Sequence, residues 1–245
     1  MTCSLLKVKK MRHPLKYSLY CTSVVILILS GTGYAKAQLP CDYKGTPYRD
    51  SIYTGNKLNP VGAQMLPGRV ELAYFDRGGE GVAYHDNSSG NEGALLNRKT
   101  GEMRPGISEY IACFRANEDV DINYTKDIED FNHPNKVDPK VNQLYIGWQE
   151  DGEWTNYTIY VNMEGKYIIY TVYSSLDNKP AELWVNNKFA CKLSFPEKTG
   201  NQHKWTQSEI GTISFPEKGL YLLTVKYSTG LNYGYLDFLY NEARQ

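Results

Sequence analysis

Tyr157-Thr158-Ile159-Tyr160-Val161, a turn at Glu164-Gly165, and then Tyr167-Ile168-Ile169-Tyr170-Thr171-Val172-Tyr173 decide the fold. Large apolar side chains recur at every second position, and most are β-branched or aromatic. That period places one set on each face of a pleated strand, whereas a helix would need them three and four apart. Gly165 after Glu164 supplies a turn signal, so the stretch predicts two short strands separated by a turn. Working outward, Arg69-Val70-Glu71-Leu72-Ala73-Tyr74 and Leu220-Tyr221-Leu222-Leu223-Thr224-Val225-Lys226-Tyr227 alternate in the same way. Further runs lie at Ala181 to Val185, Lys188 to Phe195, Ile210 to Phe215 and Tyr235 to Tyr240. Asp177-Asn178-Lys179-Pro180, Asn186-Asn187 and Lys218-Gly219 are turn signals between them. Many short strands with no helix of convincing length predict an all-β, antiparallel β-sandwich. The 21 Tyr against 7 Phe suit this, because amphipathic rings favour pleated sheet and half-buried surfaces.

Two stretches lack the period. Residues 38–68 are rich in Pro, Gly, Asn and Tyr and predict an extended lead-in, leaving 69–245 as the sandwich. Residues 76–143 contain Gly78-Gly79-Glu80-Gly81, Ser88-Ser89-Gly90-Asn91, Gly101, Pro105-Gly106 and Pro134, which predict long loops at one end. Loops on a rigid sheet scaffold are where binding residues concentrate. No internal repeat is present.

The first 37 residues read as a secretory signal peptide. Lys7, Lys9, Lys10, Arg12 and Lys16 precede the apolar run Val24 to Leu29, and Ala35-Lys36-Ala37 is a small-residue cleavage site. The apolar stretch from Tyr17 to Ser30 is shorter than the roughly 20 residues that span a bilayer, which argues against a membrane anchor. Taking those five and Lys36 from the 27 basic residues leaves 21 against 27 acidic, a net charge of −6. Nucleic acid and anionic membranes are poor partners for such a chain. Cys41, Cys113 and Cys191 would remain, allowing at most one disulfide in an oxidising compartment, with the pairing open. No Cys or His spacing suits zinc. Secretion, to the exterior or a periplasm, as a monomer is the expectation.

Several ordered strings resemble family 6 carbohydrate-binding modules. Pro67-Gly68-Arg69-Val70-Glu71-Leu72-Ala73-Tyr74-Phe75-Asp76 is similar to their opening strand. Gly79 to Asp86, Asn91-Glu92-Gly93, and Arg115 with Glu118 to Ile122 follow in order. Ile146-Gly147-Trp148-Gln149-Glu150-Asp151-Gly152-Glu153-Trp154-Thr155-Asn156-Tyr157 resembles the family's Val-Gly-Tyr-x-x-x-Gly-Asp-Trp-x-x-Tyr. Tyr235-Leu236-Asp237-Phe238-Leu239 is similar to its closing strand. The resemblance implies a galactose-binding-like jelly roll that binds polysaccharide or oligosaccharide.

It also implies where the sites lie. A structural calcium ion would be held by Glu71 and Asp237, although Ala73 replaces a second acid and calcium wants six to eight oxygens. A solvated sheet edge is the alternative for these acids. The sugar cleft would use Trp148 as a stacking platform, the alternative being a core Trp, with Glu150, Gln202, His203, Asn232 and Tyr235 around it. Gln202 stands where the family has a second stacking Trp, and Tyr235 where it has an Asn. Trp205 is expected as a buried partner, Trp154 as core, and Trp184 on either sheet face. Ala94 to Cys113 looks inserted relative to the family and could cover the binding end. Asp119-Val120-Asp121-Ile122-Asn123 starts like a calcium loop, but Tyr124 stands where a Gly must turn, so it reads as a strand with an acidic end.

Acids are plentiful, yet nothing in the sequence marks a pair for glycoside hydrolysis, and no nucleophile elbow is present. Non-catalytic glycan binding is therefore the leading expectation. A surface protein-interaction or adhesion module with a degenerate sugar cleft is the alternative, ahead of a small glycoside hydrolase or lyase.

Overall fold

The computed structural model describes residues 37–49, 62–100, 107–125 and 143–242. The expected signal peptide lies outside them except for Ala37. Thirteen strands occur in chain order: β1 (Gln64–Leu66), β2 (Gly68–Glu71), β3 (Tyr84–His85), β4 (Ile122–Tyr124), β5 (Leu144–Ile146), β6 (Trp154–Val161), β7 (Gly165–Ser175), β8 (Ala181–Val185), β9 (Lys188–Leu193), β10 (Thr206–Phe215), β11 (Gly219–Lys226), β12 (Leu231–Tyr233) and β13 (Tyr235–Tyr240). Two short helices, α1 (Glu92–Thr100) and α2 (Glu109–Ala112), lie between β3 and β4.

The strands make a sandwich of two sheets. The first runs β1-β6-β11-β8-β9, with β3 sharing the β1 edge of β6. The second runs β2-β13-β7-β12-β5-β4, with β10 on the other edge of β7. The pairing between strands is antiparallel except for β1, which runs parallel to β6. The period-two reading explains the core. On β7, Tyr167, Ile169, Tyr173 point inward, while Ile168, Tyr170 and Val172 point out and are half-buried. They meet Tyr157, Ile159 and Val161 of β6, Leu223 and Val225 of β11, and Leu236 and Phe238 of β13 in one buried cluster.

Two expectations are corrected. The segment 38–68 is more than a lead-in, because β1 lies within it and completes a sheet edge. Ahead of it, Thr46 bridges Arg77 and Tyr43 Oη donates to Asp76 Oδ2 at 2.8 Å. Secondly, 76–143 is not loop alone. Asn91 is buried, and its Oδ1 accepts from Ala94 N–H at 2.9 Å and Ile122 N–H at 3.0 Å, capping α1 and docking it on β4. Gly93 lets the helix approach, since a Cβ there would collide with the Ile122 carbonyl. The three cysteines, for which at most one disulfide was expected, are free thiols, with Cys41 exposed and the other two half-buried.

Between β8 and β9, Asn186 and Asn187 take φ of 47° and 64°. Two consecutive left-handed residues match the twist of a tight hairpin, and Asn tolerates that region better than most side chains. Asn186 Oδ1 also accepts from Leu222 N–H at 2.9 Å, which ties the hairpin to β11. This fixes the outer face of the first sheet at its β8 side.

Candidate functional site

The outer face of the first sheet is built by register. Asn156 of β6 stands opposite Thr224 of β11, which stands opposite Trp184 of β8. One step along, Trp154 faces Lys226, and Lys226 faces Glu182. His85 of β3 lies beyond Trp154, with the rings 6.4 Å apart. These side chains alternate along their strands with the core residues Tyr157, Val225 and Leu183, so they share the side away from the core. Trp154, Asn156, Trp184, Asn187, Thr224 and Lys226 line a groove of about 270 Å³.

Its polar groups are held in place. Thr224 Oγ1 donates to Asn156 Oδ1 at 2.5 Å, and Asn156 Nδ2 donates to the Val82 carbonyl at 2.9 Å. The indole N–H of Trp184 donates to Glu182 Oε2 at 2.8 Å, and its ring meets the exposed Phe189 edge-on at 6.1 Å. Lys226 Nζ sits 3.7 Å from the centre of the Trp184 ring. Two fixed aromatic walls with amide, hydroxyl and ammonium groups between them can grip a flat, hydroxylated ring. Trp154 is thus a half-buried wall rather than core, and Trp184 belongs to the outer face. The face was hidden in sequence because Trp154 and Asn156 gain meaning only beside Thr224 and Lys226 on a strand some 70 positions later.

The loop end gathers most of the residues expected there. Trp148 is 39% exposed and held at φ 50°, so it is no core Trp. Beside it, a Cβ on Gly147 would lie 3.0 Å from Asn232 Oδ1. Asn232 is buried and donates through Nδ2 to the Gln202 carbonyl at 2.8 Å, which also accepts from Ser174 Oγ. Gln202 and His203 are exposed, and His203 N–H donates to Asn201 Oδ1 at 2.7 Å. Glu150 Oε2 accepts from Asn87 Nδ2 at 3.3 Å. Trp205 is buried against Tyr145. Tyr235 does not join this group. It stands on β13 with Arg69 over its ring, 3.6 Å from the centroid. The loop end therefore presents Trp148 exposed, in contact with no other ring among the described residues.

Behind Trp148 lies a layer of carboxylates that pin the loops. Glu153 accepts from Asn87 N–H at 3.2 Å and Glu150 N–H at 2.9 Å, Asp121 from Glu92 N–H at 2.5 Å, and Asp119 from Gly90 N–H at 2.9 Å. Burial pushes Asp121 up to about 8, aided by the charges of Asp86, Glu92 and Glu153. Burial likewise raises Glu153 to about 7, and Asp86 shifts the same way. Asp119 and Asp121 are, as read, the acidic end of β4.

The calcium expectation finds no cage. Asp237 Oδ2 lies 3.7 Å from Arg69 Nη2, and Glu71 Oε2 accepts from Gln143 Nε2 at 2.8 Å. Among the described residues no group of three or more His, Cys, Asp or Glu side chains is arranged to hold a metal ion. A guanidinium next to Asp237 supplies the positive charge that calcium would bring, so these residues do not fit the ion.

The fold and groove define a β-sandwich with an aromatic-walled face. No family model and no curated protein matches the chain. The solved structures similar to it include carbohydrate-binding modules of family 6 and the related family 35. One is the C-terminal family 6 module of a marine laminarinase from Zobellia galactanivorans, with 22% identity over 38% of this chain and 77% of that one, at a TM-score of 0.34. A second is a module of Cellvibrio mixtus lichenase 5A in complex with cellotriose, with 16% identity, 50% and 88% coverage, and a TM-score of 0.39. A third is a β-1,3-glucan binding family 6 module from Bacillus halodurans, with 18% identity, 49% and 85% coverage, and a TM-score of 0.38.

Proposed function

We propose that the protein is a secreted, monomeric, non-catalytic binder of polysaccharide. The observation that carries this reading is the groove in which Trp154 and Trp184 flank Asn156, Asn187, Thr224 and Lys226. The axial C–H face of a pyranose is apolar while its rim is polar. Aromatic walls therefore supply affinity, and the fixed amide and hydroxyl groups supply selection. Trp148 at the loop end offers a second, one-sided platform, with Glu150, Asn232, Gln202 and His203 nearby. An enzymatic reading lacks support of this kind, since the raised carboxylates Glu153 and Asp121 are occupied in holding loop backbone.

Affinity electrophoresis of the purified protein against plant, algal and host polysaccharides tests this, with and without a calcium chelator. One glycan class should retard it, independently of chelator. Trp184→Ala should weaken retardation by about tenfold or more, the scale of one lost aromatic contact. Retardation by none in a folded sample would favour the protein-contact alternative, and release of reducing ends would show a hydrolase.

A further inference from the structure

We propose that the groove on the first sheet selects glycans bearing an anionic substituent, a carboxylate or a sulfate ester, and that Lys226 is the selecting residue. This rests on the glycan-binding reading of the same groove and names its ligand class.

Lys226 projects from β11 into the middle of the groove, with Trp154 across from it on β6 and Trp184 on the β8 side. It makes no ion pair among the described residues, and its ammonium rests on the Trp184 ring face at 3.7 Å. The acids bordering the groove already have donors. Glu182 accepts the Trp184 indole N–H, and Glu80 accepts from His85 Nδ1 at 2.5 Å. The groove thus holds a half-buried cation whose cross-strand neighbour Glu182 turns an oxygen to the Trp184 indole, while its ammonium, among the described residues, rests on a π face. A lysine in such a place attracts an anion, and the partial desolvation by Trp154 and Trp184 strengthens that attraction relative to open water. A neutral hydroxyl could accept from the ammonium, but a carboxylate or sulfate oxygen forms the shorter, charge-assisted bond. The groove's volume of about 270 Å³ lies just below the usual range for ligand pockets, roughly 300–1,000 Å³, which suits one sugar ring with one charged group.

Three soluble polymers separate the outcomes: polygalacturonate for carboxylate, a sulfated galactan for sulfate, and an unsulfated galactan as the neutral reference. The quantity read is the ratio of acidic to neutral affinity, at low and at 0.3 M added salt. The wild-type protein should prefer at least one acidic polymer by about tenfold, less so in salt. Lys226→Met should bring that ratio near one, and Lys226→Arg should retain it. Trp184→Ala should lower affinity for acidic and neutral polymers alike, which separates stacking from selection. Equal binding of neutral and acidic polymers by the wild type, or a preference that survives Lys226→Met, overturns the assignment while leaving glycan binding intact. Failure to bind any of the polymers or the wider glycan panel overturns both readings. Unchanged circular dichroism and melting confirm that each variant is folded.

Discussion

Glu153 spends both carboxylate oxygens on backbone N–H groups of two different loops, those of Asn87 and Glu150, and Asp121 accepts through Oδ1 from Glu92 N–H. These contacts fix the shape of the end that carries Trp148, yet burial and the neighbouring charge of Asp86 oppose ionisation of both groups. Their folded values of about 8 and about 7 stand above the ordinary 3.8 and 4.5, so the folded state holds protons that the unfolded chain has released. Stability from this source is complete below about pH 4 and is lost as pH rises through 7 to 8. His85, raised chiefly by its bond to Glu80, acts in the same direction. Thermal melting should therefore fall between pH 5 and pH 8. Asp121→Asn and Glu153→Gln should each flatten that slope, because an amide has no proton to lose. A melting temperature that rises over this interval in the wild type would contradict the assignment.

At the scale of elements, α1 depends on one side chain. Asn91 caps its first turn, bonds the start of β4, and donates through Nδ2 to the Phe114 carbonyl at 3.2 Å. Asn91→Ala removes the cap and leaves two buried backbone groups without partners, which should cost about 2–4 kcal/mol. For a domain of this size that lowers the melting midpoint by roughly 5–10 °C. Asn91→Asp keeps the acceptor and should cost less, and urea unfolding of the two variants measures the difference. The same element shows where sequence stops being legible. The strands β6 and β7 are readable because alternation is local, repeated every second residue whatever lies nearby, but that they fall in opposite sheets is not, since their partners β11, β10 and β13 come much later in the chain. The α1 segment Glu92 to Thr100 has no comparable pattern, for its cap is closed by Ile122 and Phe114, more than 20 positions away. Trp148 was singled out through the family resemblance of the string Ile146 to Tyr157, and the structure leaves it exposed. Trp154 was not legible as a wall, since Trp154-Thr155-Asn156 acquires an outer face only when β11 sets Lys226 and Thr224 beside it.

For the whole molecule, the two aromatic features belong to one sandwich but serve different geometries. The groove of the first sheet runs across three strands, while Trp148 stands exposed at the loop end. On the proposed glycan-binding reading, a short oligosaccharide would occupy one of them at a time, and its affinity would report a single site. A polymer can engage both on one chain or dwell by rebinding, and linked binding multiplies affinity through effective concentration where the geometry permits it. Polysaccharide should consequently bind at least about tenfold more tightly, per molecule of protein, than a trisaccharide cut from it. Trp148→Ala should reduce polymer affinity while leaving trisaccharide affinity in the groove nearly unchanged, and Trp184→Ala should reduce both. Titration calorimetry with matched polymer and trisaccharide reads each constant. Equal loss of trisaccharide binding in the two variants would mean that a ligand of that length bridges both features. They would then form one continuous site rather than two separate ones.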